Sequence, residues 1–367
     1  MPVLPRVKAV CCLCLFVFLA APSLADEPPA SAAFRLMLAT MPDVEDAPAG
    51  GYQIDFGDVR AAQALLEASG AAPFDPEERA LAALLRGGTQ IFTRSASAQD
   101  ARFRAANGFG FADVDTNLQY ARPPIWLNLM SLGFGAGAVA ADLLPGAGFT
   151  RDDRHGHSVF WRGEQDNAVM QPNLPPDDLY GGAVRRSARL ALAGDILAFS
   201  NAWSVLDTVL TTDLPRLVDD AEIAALLDAL DAATHPDERL ILANLFVDAL
   251  PAEYPGTLLM ADLFGDDGHV TIVALRPTHI LPAADQAAQL GVNWSGLAIN
   301  DAGDSFADLI GGDAETMVIE TGVPVLVMRL DTPIDAEINR LLFNQAYRAM
   351  QGALMRRDFE RLLSDRP

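Results

Sequence analysis

Apolar runs of strand length, separated by turn residues, alternate along this chain with segments of helical period. The clearest unit spans Thr257 to Arg276. Thr257–Phe264 is continuously apolar apart from Asp262, and His269–Arg276 runs back with β-branched residues. Between them, Gly265-Asp266-Asp267-Gly268 supplies residues that tolerate the positive φ of a tight turn. This pattern predicts a β-hairpin feeding a helix over Pro282–Leu290. Gly291 should stop that helix, and Val292–Trp294 should leave it as a strand.

Other stretches repeat the plan. Phe109–Asp115 and Ile125–Met130 read as paired strands, followed by a helix over Ala136–Leu144 and by strands at Phe149–Asp152 and Ser158–Trp161. Ala188–Ala193 and Ile196–Phe199 form a hairpin about Gly194-Asp195, and Thr316–Glu320 pairs with Val323–Arg329 about Thr321-Gly322. Leu240–Val247 fits a strand or a helix. The order strand, strand, helix, strand at about 109–161 recurs at about 257–296, which points to an internal duplication of element order.

The N-terminal third reads as mostly helical. Asp58 is placed to cap a helix whose buried face is Val59, Ala62, Leu65 and Leu66. Asp75 caps the next, with Pro76 at its first position and Leu81, Leu84 and Leu85 inward. Gln90–Thr93 reads as a short strand and Ala96–Ala106 as a third helix. Later, Ala202–Leu210 and Asp220–Ala232 are helical. Thr332 with Pro333 opens a closing helix reaching toward Leu363, whose Arg356, Arg357 and Arg361 complement its C-terminal dipole.

The fold class expected is therefore α+β: antiparallel sheet built from β-hairpins, with helices on one face. Two similar ββαββ-type units, 107–253 and 254–364, would follow a mostly helical region at 34–106. A disordered linker at 26–33 and a signal peptide at 1–25 would precede them. The signal peptide rests on basic Arg6 and Lys8, the apolar run Ala9–Ala20, and small residues Ser23 and Ala25 at the −3 and −1 positions of a cleavage site. That run is shorter than a spanning helix needs. A periplasmic or secreted protein, with no membrane span after cleavage, is the expected address.

Charge and cysteine narrow the chemistry. The chain has 367 residues and a net charge of −23, a balance that repels nucleic acid. Cys11, Cys12 and Cys14 all lie in the leader, so the mature chain offers no thiolate and no disulfide. Lys8 is the sole lysine, which excludes Schiff-base chemistry and a P-loop from the mature chain.

Candidate motifs are few. His155-Gly156-His157 stands beside Asp152, Asp153 and Arg154. Residues i and i+2 of a strand share a face, so His155, His157 and Asp153 could hold a divalent metal such as zinc, given a further ligand. A polar hairpin turn, with Gly156 at positive φ, is the competing reading. Gly135-Ala-Gly137 opens a helix after a strand, but Pro145 ends that helix early and hairpins follow, unlike a dinucleotide fold. Asn300–Asp308 lacks the spacing of a calcium loop. Ser295 lacks the preceding glycine of a nucleophile elbow. No carboxylate pair stands out. The sequence therefore favours a non-catalytic, cofactor-free exported protein that binds a protein or small-molecule partner through a sheet or an inter-unit cleft. A metal-dependent hydrolase at His155 and His157 is the alternative.

Overall fold

The computed structural model describes residues 28–42, 51–68, 75–95, 99–122, 125–163, 177–180, 187–211, 213–248, 256–277, 282–297, 303–310, 314–333 and 343–355. The signal segment and the arginines beyond Met355 lie outside them. Chain order is α1 (Ala32–Leu38), β1 (Tyr52–Asp58), α2 (Val59–Ala68), α3 (Pro76–Gly87), α4 (Asp100–Asn107), β2 (Val114–Arg122), β3 (Ile125–Leu132) and α5 (Ala136–Leu143). Next come β4 (Thr150–Arg154), β5 (His157–Arg162), β6 (Ala188–Ala193), β7 (Ile196–Ser200), α6 (Trp203–Leu210) and α7 (Ala221–Ala232). The last are β8 (Arg239–Val247), β9 (Thr257–Gly265), β10 (Gly268–Leu275), α8 (Ala283–Ser295), α9 (Phe306–Ile310), β11 (Glu315–Glu320), β12 (Pro324–Pro333) and α10 (Gln345–Met355).

Among the described residues, twelve strands join one antiparallel sheet in the order β11-β12-β10-β9-β8-β1-β2-β3-β7-β6-β5-β4. The α+β class and the hairpin origin of the sheet are as the sequence indicates. Both expected units share this one sheet, and β1 and β8 lie side by side at its middle.

Helices cover both faces rather than one. Ile54, Phe56, Leu118, Leu245, Leu259, Ile272 and Val327 pack on one side with α1, α6 and α7. The opposite face carries two separate cores. One gathers α2 to α5 around Phe103, Phe109, Phe160 and Tyr180. The other gathers α8 to α10 around Leu290, Trp294, Phe306 and Met350. The reason lies in the strands: every residue of β10 is buried, and β9 is nearly so. A strand apolar on both sides needs cover on both.

Several local expectations yield to tertiary pairing. The N-terminal region is not helical throughout, since Tyr52–Asp58 forms a central strand. Its Ile54 and Phe56 face the core while Gln53 and Asp55 alternate to the other side, so its apolar signal is short. Asp58 still acts as expected: its Oδ1 accepts from the Ala61 amide at 2.8 Å. Asp75 makes the full capping box with Glu78. Gln90–Ser95 is a 3₁₀ helix rather than a strand, and Phe111–Asp113 a 3₁₀ turn before β2. Leu240–Val247 is strand, between β1 and β9.

The helix after β10 does not stop at Gly291 but runs to Ser295, which buries Trp294 against Phe306 at 3.7 Å between ring centroids. Thr332 does not cap a helix. It pairs with His269 at the end of β12, where ladder bonds to β10 outweigh cap propensity. Pro28–Ala33 is placed, not disordered: Ser31 is fully buried, and its amide and hydroxyl both bond to Asp231 of α7.

Candidate functional site

Where the two cores on the face covered by α2–α5 and α8–α10 meet, the sheet is polar. Asp55 of β1 stands directly opposite Asn244 of β8, and Leu242 stands opposite Asp262 of β9. Cross-strand partners share a face, so Asp55, Asn244 and Asp262 all project into the gap between α3 and α10.

Close glycine packing holds the α3 side. A Cβ on Gly57 would lie 2.0 Å from the Gly87 carbonyl oxygen, so only glycine lets the end of α3 rest on β1. Asn117 of β2 ties this junction. Its Nδ2 donates to the carbonyls of Gly57 and Gly87, each at 3.2 Å, and its Oδ1 accepts from the Thr89 amide at 2.8 Å. Arg86 and Thr89 are thereby fixed at the rim of the gap. On the far side, the amide of Tyr347 is capped by Asn344 Oδ1 at 3.1 Å, which sets the first turn of α10.

The side chains that converge are buried and mostly bonded to one another. Arg86 Nη1 donates to Asp262 Oδ2 at 2.7 Å, with Arg86 only 3% exposed and Asp262 1%. Asn344 Nδ2 donates to Asp262 Oδ1 at 3.0 Å. Asn244 Nδ2 donates to Asp55 Oδ1 at 2.6 Å, while Asn244 Oδ1 accepts from Tyr347 Oη and Gln351 Nε2, each at 2.6 Å. They wall a cavity of about 140 Å³, with Gly88, Gln90 and Arg348 also at its edge.

Burial shapes its electrostatics. Loss of solvent pushes the Asp55 carboxyl above the usual carboxylate range, against the opposing bonds from Gln53 and Asn244. Burial also raises the Tyr347 phenol, helped by the charges of Asp262 and Asp55, so it remains a donor. Burial lowers the Arg348 guanidinium, and the neighbouring Arg86 charge lowers it further. Two cations thus sit close together beside Asp262.

A larger hollow of about 350 Å³ lies at the turn end of β9 and β10. Its central Arg329 donates to Glu238, Asp331 and the Ala233 carbonyl. That guanidinium is engaged from all sides, as expected of a group that joins β12 to α7 and β8.

The sequence-derived metal residues lie elsewhere. Arg154-His155-Gly156-His157 is the β4–β5 turn, with φ of 52° at His155 and 79° at Gly156, the two positive values of a type I′ hairpin. His157 pairs with Arg154, and Asp153 pairs with Ser158 one residue further, so Asp153 projects to the other face from His157. His155 Nε2 lies 3.4 Å from Asp207 of α6, which also takes two bonds from Arg154. Among the described residues no three His, Cys, Asp or Glu side chains come together as metal ligands. No helix among them is long and apolar enough to cross a membrane.

The polar cavity was not evident in the sequence as a motif. Its signal was an oddity of pattern: Asn244 and Asp262 each interrupt an apolar strand. Arg86, in the last turn of α3, reads from sequence alone as a dipole-complementing residue.

No family model matches the chain, and no curated protein matches it. Among solved structures, a crystal form of a protein designated TP0453 is similar over 87% of this chain and 97% of its own, at 9% identity and a TM-score of 0.37.

Proposed function

We propose that this chain is an exported, non-catalytic binding protein of the cell envelope that takes a small polar molecule into the cavity between α3 and α10. The observation that carries this reading is the cavity itself, walled by buried polar side chains from both ends of the chain. Buried polar groups are costly unless matched, and a recess of about 140 Å³ set among them has room for a small guest or a few waters. The leader pattern at 1–25 supports export. The strand order, with hairpins β2–β3 and β9–β10 lying on either side of the central β1–β8 pair, supports a duplicated plan whose junction forms the site.

The test uses the chain from Asp26 onward, purified from the periplasm or medium. Native mass spectrometry and a thermal-shift screen of small polar metabolites should find a stabilising ligand, and Asn244→Leu should abolish the shift. Rapid turnover in a hydrolase panel, or a mature N-terminus elsewhere than near Asp26, would remove the respective half of the reading.

A further inference from the structure

The cavity's most telling feature is what Arg86 leaves undone. A guanidinium offers five N–H donors in a planar fork. Arg86 commits Nη1 to Asp262, yet Nε and Nη2 are buried with no acceptor. Those two nitrogens form one edge of the plane, and that edge is the one that grips an oxyanion with two parallel bonds. Thr89, a residue of the same cavity wall, has a buried hydroxyl that also lacks a partner. Leaving several buried donors unmatched is uncommon in folded proteins, and a guest with acceptor oxygens would satisfy them.

We infer that the cavity binds a small monocarboxylate, held by the Nε and Nη2 edge of Arg86 with the Thr89 hydroxyl as a further donor. This rests on the ligand-binding reading above and narrows it to a chemical class. Size limits the guest: a cavity of about 150 Å³ holds a molecule such as benzene. Charge limits it too. Arg86 and Arg348 supply two positive groups against the carboxyls of Asp262 and Asp55, so the cavity has no surplus positive charge to hold a dianion. A dianion such as phosphate would bring a second negative charge near Asp55 and Asp262. The net charge of the whole chain repels anions at long range, but salt screens that field beyond about 8 Å under physiological conditions. The Arg86 contact acts inside that distance.

The experiment titrates the mature full chain with acetate, propionate and butyrate, with the matching amides, and with inorganic phosphate. Affinity is read by calorimetry and the Arg86 Nε–H signal by nitrogen-15 NMR. The expected result is binding of a carboxylate, a downfield shift of the Nε–H signal, and at least about 10-fold weaker binding of its amide. Arg86→Lys keeps a cation for Asp262 but removes the two-point edge, and should weaken the carboxylate by about 10- to 100-fold. Should that variant fold poorly, Thr89→Val provides the check, with a loss of several-fold. Amides that bind as tightly as acids, tighter phosphate, or an unchanged affinity in Arg86→Lys would overturn the carboxylate assignment and leave the cavity reading standing. Absence of binding by every probe, with the Nε–H signal unmoved, overturns the carboxylate assignment. Failure of the broader metabolite screen as well overturns both.

Discussion

Asp55 and Asn244 face each other across the central strand pair, and the amide of Asn244 donates to the Asp55 carboxylate at 2.6 Å. Through its Oδ1 Asn244 accepts from Tyr347 Oη and Gln351 Nε2 of α10. One residue thus links the middle of the sheet to the C-terminal helix, across the gap left by two apolar cores.

Asp55 gives a pH signature. Its folded carboxyl binds a proton more tightly than the unfolded one, because burial disfavours the charge. The native state therefore holds more protons than the unfolded state just above the ordinary aspartate range. Stability should fall as pH rises from about 4 through the raised folded value. Asp55→Asn, which carries no charge to bury, should flatten that part of the profile and be at least as stable as the parent at neutral pH. Urea unfolding across pH 3–7, an interval of about one carboxylate titration on either side, measures it. A parent profile that rises over this window and persists in Asp55→Asn would refute the assignment.

Asp262→Ala should cost about 3–5 kcal/mol, because it strands the buried Arg86 charge. The double change Asp262→Leu with Arg86→Met should recover most of that loss. A denaturant double-mutant cycle reads both, and a small single-mutant effect would mean that solvent reaches the pair.

Gly57→Ala should destabilise by about 2–3 kcal/mol or more, since its methyl would collide with the Gly87 backbone. The displaced α3 should also lose ligand affinity. Chemical denaturation and the carboxylate titration together separate the two effects.

Tyr347→Phe deletes one donor to Asn244, whose oxygen retains Gln351. The expected loss is about 1 kcal/mol by thermal unfolding. A loss above about 3 kcal/mol would indicate that the network acts as a unit.

His155→Asn places the favoured Asn-Gly pair in the β4–β5 turn, at a residue whose φ is 52°. Stability should stay level or rise by up to about 0.5 kcal/mol. A drop beyond about 1 kcal/mol would show that the contact of His155 with Asp207 outweighs turn strain.

Much of the fold was legible because local chemistry and final structure agree. The β9–β10, β6–β7 and β11–β12 hairpins stand where apolar runs flank turn residues. Asp75 and Asp220 cap α3 and α7 through their own side chains. β1 was not legible, because a strand polar on one face and seven residues long carries little apolar signal. Nor was the end of β12, where Thr332 and Pro333 have the chemistry of a helix start but the ladder to β10 claims them.

The strands with strong runs, the hairpin turns, the capped helices and the α+β class are local in origin, since each follows from residues close together in the chain. Long-range packing alone places both halves in one sheet, puts helices on both faces, and gathers Arg86, Asp262, Asn244 and Tyr347 around one cavity. Those groups come from separate parts of the chain, and the pairing of β8 with β1 and β9, together with the packing of α3 and α10 on the sheet, brings them within bonding distance. Periodicity reports which face of an element is apolar, whereas the neighbour of a buried polar group depends on how distant elements pack.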